Sequence, residues 1–186
     1  MYDLYSTDDF NPELERCPSC NATGMCKRHG SYERWITDIK HGEVIDRKVK
    51  IPRVICSCGH THGVIADNII PYRLYSLPFI LYVLGLYLSS SLTVEKICET
   101  YGISHSTLYR WKSVYLYHKL LWLGALLSDK TTAFAFLKIL TGYAVFADFT
   151  REFFRKTLYS FLQSHTNPAN CHHLPLGWLP VQGAPT

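Results

Sequence analysis

The sequence predicts an α+β protein in which a small N-terminal β zinc ribbon is followed by an all-α domain with a helix-turn-helix. Three observations predict this class: two cysteine pairs far apart in the chain, a period-2 alternation between them, and two short helical segments joined by a glycine turn. We place the zinc-ribbon-like domain in residues 1–70 and the helical domain in residues 71–163, with the helix-turn-helix at 92–115. Residues 164–186, rich in proline and glycine, are expected to form an irregular tail.

Composition sets the outer bounds of these expectations. The chain has 186 residues, of which 47% are hydrophobic, so it can bury a real core. Its net charge of +4 is too small to name nucleic acid as the partner by itself. The acidic N-terminal stretch MYDLYSTDDF lacks the apolar segment of a secretory signal. The most apolar run, Pro78 to Leu88, is shorter than the ~20 residues that a bilayer requires, and we expect a cytoplasmic protein with no membrane partner.

Two cysteine pairs can supply the ligands of one tetrahedral zinc ion. Cys17 and Cys20 form a C-x-x-C pair, and Cys56 and Cys58 form a shorter C-x-C pair. In a reducing compartment such cysteines indicate metal or redox chemistry rather than disulfides. Four thiolates leave no open coordination position, so the zinc would be structural. Because the second pair is one residue short, the ligand set stays open. These four cysteines are the first choice, and the second choice replaces Cys56 with His60 or His62. The nearby alternates are Cys26, His29, His60 and His62.

The rival interpretation of Cys17 and Cys20 is the redox dithiol of a thiol oxidoreductase. Such a dithiol needs a preceding strand and a following helix, whose N-terminal amides lower the pKa of the first thiol. Here the motif follows a polar segment and leads into the loop Asn21-Ala22-Thr23-Gly24. This context favours metal binding.

The stretch between the cysteine pairs fits a β-hairpin. Residues 31–39 are rich in aromatic and branched side chains, His41-Gly42 is a plausible turn, and Val49 and Ile51 alternate with lysines. The basic residues along this hairpin would either follow a phosphate backbone or only solvate a strand face, and both interpretations stay open. They are Lys27, Arg28, Arg34, Lys48, Lys50 and Arg53.

The second half of the chain reads as a series of helices. Ser76 can cap a buried helix that carries Pro78 in its first turn and continues to about Leu88. A later helix is expected to continue through Trp122, and two more helices would cover the core.

Residues 92–115 carry the signals of two capped helices. Thr93 is a suitable N-cap for the first helix, Gly102 ends it, and Ser104 caps the second helix. Ile103 and Leu108 have the spacing of a hydrophobic staple across that cap. Two helices joined in this way predict a helix-turn-helix, whose second helix can enter the major groove of DNA.

The second of these helices divides into two faces. Leu108, Trp111 and Tyr115 recur at helical spacing and should pack inward. On the other face, Arg110 can offer a bidentate fork to a guanine edge and Ser106 a short hydroxyl to a base or phosphate. The alternative is an ordinary helical hairpin whose polar face is only solvated.

The run Ser106-Thr107-Leu108-Tyr109-Arg110 resembles the recognition helix of serine recombinases and of many insertion-sequence transposases. The resemblance implies that Ser106 and Arg110 contact bases, and that Thr107 and Tyr109 lie near phosphates. We add two neighbouring residues to this DNA-binding set, Lys112 at the phosphates and His105 at the start of the helix.

The order of the motifs supports a wider resemblance. The chain looks like a member of a transposase-like bacterial family of unknown function with a zinc ribbon and a helix-turn-helix. The motifs that carry this resemblance are CPxC, HGSY, IPRVICSCGHTH, PYRLYS and YGIS-STLYRW. The resemblance implies DNA binding. We expect a nucleoid-associated protein that binds double-stranded DNA without its own catalytic domain, and it would either recognise the ends of a mobile element or act as a regulator. Its further partners would be a second copy of itself or a separate transposase subunit. A zinc-ribbon adaptor that docks a protein is the alternative.

Two further groups of residues are not assigned to a site. Asp129, Asp148 and Glu152 could be compared with a transposase acidic triad, but the roughly 75 residues after Trp111 are far fewer than a whole domain of 100–150 residues. We therefore predict no enzyme activity. Cys171-His172-His173 lacks a paired cysteine motif, and its role stays open.

Overall fold

The structure is a computed structural model in which residues 10–66, 68–128, 132–142, 146–157 and 160–163 are described. Within them the architecture is α+β, as predicted: a three-stranded antiparallel sheet is followed by helices. After a short 3-10 helix (Pro12–Leu14), the elements are β1 (Cys26–Lys40), β2 (Glu43–Cys56), β3 (Thr61–Gly63), α1 (Leu77–Leu88), α2 (Val94–Tyr101), α3 (His105–Ser128), α4 (Ala133–Gly142) and α5 (Phe146–Thr157).

The predicted hairpin is confirmed, and it is longer than the sequence indicated. β1 and β2 pair from Lys40–Glu43 at the turn to Cys26–Cys56 at the open end. His41 and Gly42 have φ values of 52° and 85°, and a two-residue hairpin turn of the primed type requires positive φ at both positions. The third strand was not predicted, because three residues carry no readable alternation.

The sheet covers a different small core on each face. Ile36, Val49 and Ile51 pack with Ile69 on one face. Near the open end of the hairpin, Val54 and the two strand cysteines pack on the other face, together with Cys17. The alternation of Val49 and Ile51 therefore identified the first face correctly, and the segment before β1 covers the second.

The predicted helix after Ser76 is also confirmed. The Ser76 hydroxyl accepts a hydrogen bond of 3.1 Å from the Phe79 amide, and Pro78 lies in the first turn. Six of the side chains of α1 are buried: Leu77, Phe79, Ile80, Leu81, Val83 and Leu84. The helix packs against β1, α2, α3 and α4, and it is therefore the central element of the main core.

A buried carboxylate connects the sheet to this central helix. Asp38 is only 3% exposed; it accepts a 2.6 Å hydrogen bond from the Ser76 hydroxyl and forms a 3.2 Å ion pair with Arg47. The backbone adds to this connection. The Thr37 amide donates to the Leu74 carbonyl at 2.7 Å, and the Ser76 amide donates to the Thr37 carbonyl at 2.9 Å. The join segment, residues 71–76, is thereby held against β1.

The long helix α3 extends past Trp122, as expected, and two further helices follow it. Aromatic side chains fill the space between these helices. The centre of the Phe161 ring lies 6.2 Å from that of Tyr115 and 5.1 Å from that of Phe153.

Glu152 is held by Arg155 through two 2.7 Å hydrogen bonds. Asp129 and the tail from residue 164, with its Cys171-His172-His173 cluster, lie outside the described residues. None of the described helices has the length and apolar character needed to cross a membrane.

We predict that Asp38→Asn lowers the free energy of unfolding by about 2 kcal/mol, because it removes the charge that the hydrogen bonds and the Arg47 ion pair depend on. Urea denaturation measures this change. Asp46→Asn is the matched control, since the Asp46 carboxylate accepts from Thr37 at the exposed surface. Its expected loss is within about 0.5 kcal/mol. Equal losses in the two variants would show that the buried carboxylate has no special role.

Candidate metal centre and candidate nucleic-acid interface

Four cysteine sulfurs converge at the open end of the hairpin. The Sγ atoms of Cys17, Cys20, Cys56 and Cys58 all lie within 4.8 Å of one another. Cys17 and Cys58 are separated by 3.7 Å, and Cys20 and Cys56 by 3.6 Å. A tetrahedral ion with metal–sulfur bonds of about 2.3 Å would place its ligands about 3.8 Å apart, whereas a disulfide would bring two sulfurs to about 2.05 Å. The arrangement therefore fits a metal ion.

Two similar turns direct these sulfurs toward one point. In the first, the Cys17 amide donates to the Ala22 carbonyl and the Asn21 amide to the Cys17 carbonyl, both at 2.9 Å. In the second, the Cys56 amide donates to the His60 carbonyl and the Gly59 amide to the Cys56 carbonyl, again at 2.9 Å. Gly59 adopts a φ of 86°, which glycine reaches without a Cβ clash. This tight turn lets the shortened C-x-C pair reach the cluster.

The cluster also favours a thiolate that can initiate metal binding. The backbone amide of Cys58 lowers the pKa of the Cys56 thiol to about 6, and hydrogen bonds from the Cys20 and Cys58 sulfurs act in the same direction against the effect of burial. The largest influence on the pKa of Cys20 is the Ala22 backbone amide, which lowers it. The hydrogen bond with Cys58, burial and the remaining sulfurs act in the opposite direction, and together they raise the pKa of Cys20 to about 12. Metal binding requires thiolates, so a divalent cation held by all four sulfurs would release the protons of these thiols.

The alternate ligands lie outside the group of four sulfurs. Cys26 is buried opposite Cys56, and its pKa is raised by burial and then by the Cys56 charge. The His60 and His62 rings stack on each other at 6.1 Å, and both nitrogens of His62 are buried with no hydrogen-bond partner among the described residues. Burial and the His60 charge lower the pKa of His62, so the ring stays neutral near pH 7. His29 is exposed on β1. The structure therefore brings together the ligand set that was the first choice from sequence.

We predict that Cys20→Ser and Cys58→Ser each abolish stoichiometric metal binding, because each removes one of the four converging sulfurs. Native mass spectrometry of the purified chain measures the metal content. Cys26→Ala and Cys98→Ala should retain one ion per chain, since both thiols lie outside the cluster. Retention of metal by Cys20→Ser together with loss from Cys26→Ala would assign the ligands differently.

Helix α2 begins and ends, and helix α3 begins, where the capping residues predict. The Thr93 hydroxyl accepts from the Lys96 amide at 3.3 Å, and the Ser104 hydroxyl accepts from the Thr107 amide at 3.2 Å. Between the helices, Gly102 has a left-handed φ of 61°, and its amide donates to the Cys98 carbonyl. The two helices are therefore joined by a short, hydrogen-bonded turn.

The two faces of α3 also follow the prediction. Leu108, Trp111 and Tyr115 are buried against α1 and its neighbours. The exposed residues on the first turns of α3 are His105, Ser106, Tyr109, Arg110 and Ser113. The start of α3 thus exposes the Arg110 guanidinium together with hydroxyl and aromatic side chains. Side chains of these types can form hydrogen bonds with base edges and phosphates.

Three of the predicted DNA-binding residues already make side-chain hydrogen bonds within the protein. The Ser106 and Thr107 hydroxyls each lie 2.9 Å from the Ser104 hydroxyl of the N-cap. The Lys112 ammonium donates to the Tyr87 hydroxyl at 2.9 Å. Lys112 also lines an open groove of about 430 Å³, formed with Tyr87, Leu88, Ser90, Leu92, Thr93 and Val94. Its charge therefore lies close to the first turn of α2, where free backbone amides favour an anion.

The basic residues of the hairpin do not form one continuous positive face. Lys48 is paired with Glu33 at 2.5 Å, and Lys50 lies opposite the same acid in the register. Arg53 falls on the other face of β2 and donates to the Thr61 hydroxyl at 3.1 Å. The Arg28 guanidinium lies over the Phe10 ring. Much of this charge is therefore engaged locally.

The sequence assigned no role to Arg73 in the join segment. Its motif PYRLYS contributed to the wider family resemblance, which names no function for this residue. In the structure the Tyr75 ring contacts the Trp111 ring edge-on at 5.0 Å, so the join segment lies beside the start of α3. The only signal in the sequence was that Arg73 lies between Tyr72 and Tyr75. This pattern does not say which distant part of the chain the segment contacts.

Comparison with protein-family models matches residues 17–111 to a domain of unknown function, DUF6431. The matched segment includes both cysteine pairs, the hairpin and the helices through the first turns of α3. No curated protein and no solved structure matched the chain.

Proposed function

We propose that this chain, which belongs to the DUF6431 family of domains of unknown function, is a sequence-specific DNA-binding protein. One observation carries the proposal: α2 and α3 are capped and joined like a helix-turn-helix, and the start of α3 exposes Arg110 while its opposite face is buried. A second helix of this kind can lie in the major groove with its first turns toward the base edges.

Each exposed residue of α3 then has a role that its chemistry supports. Arg110 would donate two hydrogen bonds to a guanine, and Ser106 would add a hydroxyl contact. Tyr109, Thr107 and His105 would lie along the phosphates, which position the helix without reading sequence.

Lys112 would contribute to the same backbone contact from the groove at the start of α2. Its ammonium is already held there by Tyr87, so it would need little reordering to meet a phosphate. The amides of the first turn of α2 would add donors next to it.

The metal in this proposal is zinc, and the sheet is a zinc ribbon. Four thiolates at tetrahedral spacing suit a borderline-soft ion with no geometric preference of its own. When bound, the ion would stabilise the fold, since it would link two turns that are 36–41 residues apart in the chain. Without an open coordination position it would not take part in catalysis.

The biological setting that we propose is that of a transposase-like, mobile-element protein with no catalytic domain of its own. It would recognise element ends on the nucleoid, as a homodimer or with a separate transposase subunit. The motif resemblance supports this setting, and the DUF6431 match neither adds to it nor opposes it.

We predict that Arg110→Ala weakens binding to a specific duplex by about 1–3 kcal/mol and relaxes the preference at one base pair. The measurement is selection from a random duplex pool with metal-loaded wild-type and variant protein, followed by titration of the enriched duplex. Lys138→Ala is the matched control, because Lys138 is an exposed cation on α4. An equal loss on enriched and random duplexes would contradict base recognition by Arg110.

A protein-protein adaptor is the second candidate function, because the helices expose large apolar side chains away from the start of α3. These are Leu116, Tyr117, Leu120, Leu121 and Phe154. Salt distinguishes the two functions: DNA affinity must fall steeply between about 50 and 200 mM salt, whereas docking of an apolar surface would change little. If random-pool selection enriches no duplex with the metal bound, the adaptor becomes the better proposal.

A further inference from the structure

The join segment carries an arginine whose backbone is held in place from several directions. The Arg73 amide donates to the Ile70 carbonyl at 3.2 Å, and the Arg34 guanidinium of β1 donates to the Arg73 carbonyl. The Leu74 carbonyl accepts from Thr37 at 2.7 Å. These bonds use the main chain of the segment, so they do not depend on the Arg73 side chain.

The same segment exposes two large side chains. Tyr72 is 78% exposed and Leu74 is 68% exposed. Tyr72 also adopts a φ of 59°, a left-handed conformation that a bulky residue rarely takes. Neither residue contributes to a core, and the hydrogen bonds to β1 account for the shape of the loop.

The segment that carries Arg73 lies beside the helix start that carries Arg110. The contact of Tyr75 with Trp111 places the segment beside the first turns of α3. Burial, and then the Arg110 charge, lower the pKa of the Arg73 guanidinium. Arginine is not deprotonated in proteins, so the Arg73 side chain stays charged near pH 7.

Among the described residues, no carboxylate pairs with Arg73 or Arg110, whereas Arg47 and Arg155 each have one. Two neighbouring segments thus each carry a cation without a described carboxylate partner, and an anion bound beside them would reduce the repulsion between these charges.

We propose that Arg73 is a second DNA-contacting residue, which binds a backbone phosphate beside the base pairs that Arg110 faces. The join segment and α3 would then hold the duplex as one unit, with Arg110 reading sequence and Arg73 fixing the position of the strand. This inference rests on the proposed function of α3.

The test measures the salt dependence of binding to a mixed-sequence duplex of about two helical turns, by fluorescence anisotropy with the full, metal-loaded chain. Arg73→Gln should reduce the steepness of log K against log salt by about 0.9, the value for one lost phosphate contact. It should weaken enriched and scrambled duplexes by the same factor and leave the selected motif unchanged. Arg73→Lys should restore the slope, because it retains the charge.

Two controls separate the possible causes of a loss. Lys138→Gln removes an equal charge from α4 and should not change the slope, so a general loss of charge is excluded. The urea midpoint of Arg73→Gln should equal that of the wild type, because only the backbone of Arg73 anchors the segment.

Each remaining outcome has a definite meaning. Wild-type slope and affinity in Arg73→Gln would overturn the inference and leave the proposed function in place. A changed base preference in Arg73→Gln would also overturn it, since the residue would then read a base. If the wild-type chain binds no duplex at all, the proposed function fails and the inference fails with it.

Discussion

The hydrogen bond between the Asp38 carboxylate and the Ser76 hydroxyl is the interaction on which the arrangement of the chain depends. Ser76 is the N-cap of α1, so the same hydroxyl that begins the central helix also attaches it to the hairpin. Helices α2 and α3 pack against α1. The position of the exposed face of α3 relative to the sheet therefore follows from this one buried contact and from the backbone bonds of Thr37 beside it. Because Asp38 is almost fully buried, the carboxylate has to keep these partners in the folded state.

The cysteine cluster is a second constraint, and it acts where the core is thinnest. The buried cluster at the open end of the hairpin contains only Val54 besides three cysteines, with Phe10 and Val64 packed at its edge. So small an apolar cluster contributes little hydrophobic stabilisation, and small β units commonly need a metal or disulfides in compensation. The hairpin register brings the second turn close to the first, and an ion held by four sulfurs would hold the two turns together. In this interpretation the metal and the hairpin stabilise the same end of the sheet.

The net charge of +4 does not show that the hairpin and the start of α3 differ in how their cations are paired. Along the hairpin, Lys48 is matched by Glu33, and Arg47 by Asp38. Beside the start of α3 the pattern is reversed, because Arg73 and Arg110 lie on neighbouring segments and neither has a carboxylate partner among the described residues. A phosphate backbone would be attracted to the second region more than to the first, since a cation that already has a partner offers a weaker field. This contrast is why the proposed DNA contact is centred on the helices and not on the sheet.

The sequence by itself determined the local features of this protein, namely the hairpin turn at His41-Gly42, the caps at Ser76, Thr93 and Ser104, and the buried side of α3. Each of these depends on residues within a few positions of one another, whose conformational preferences and spacing can be read directly. The sequence also named the four cysteines, but it left Cys26 and three histidines as alternates. Only the tertiary structure decided which sulfurs converge, that a third strand pairs with β2, and that the join segment with Arg73 lies beside the start of α3. These features depend on contacts between distant segments, and local patterns do not specify which distant side chains will meet.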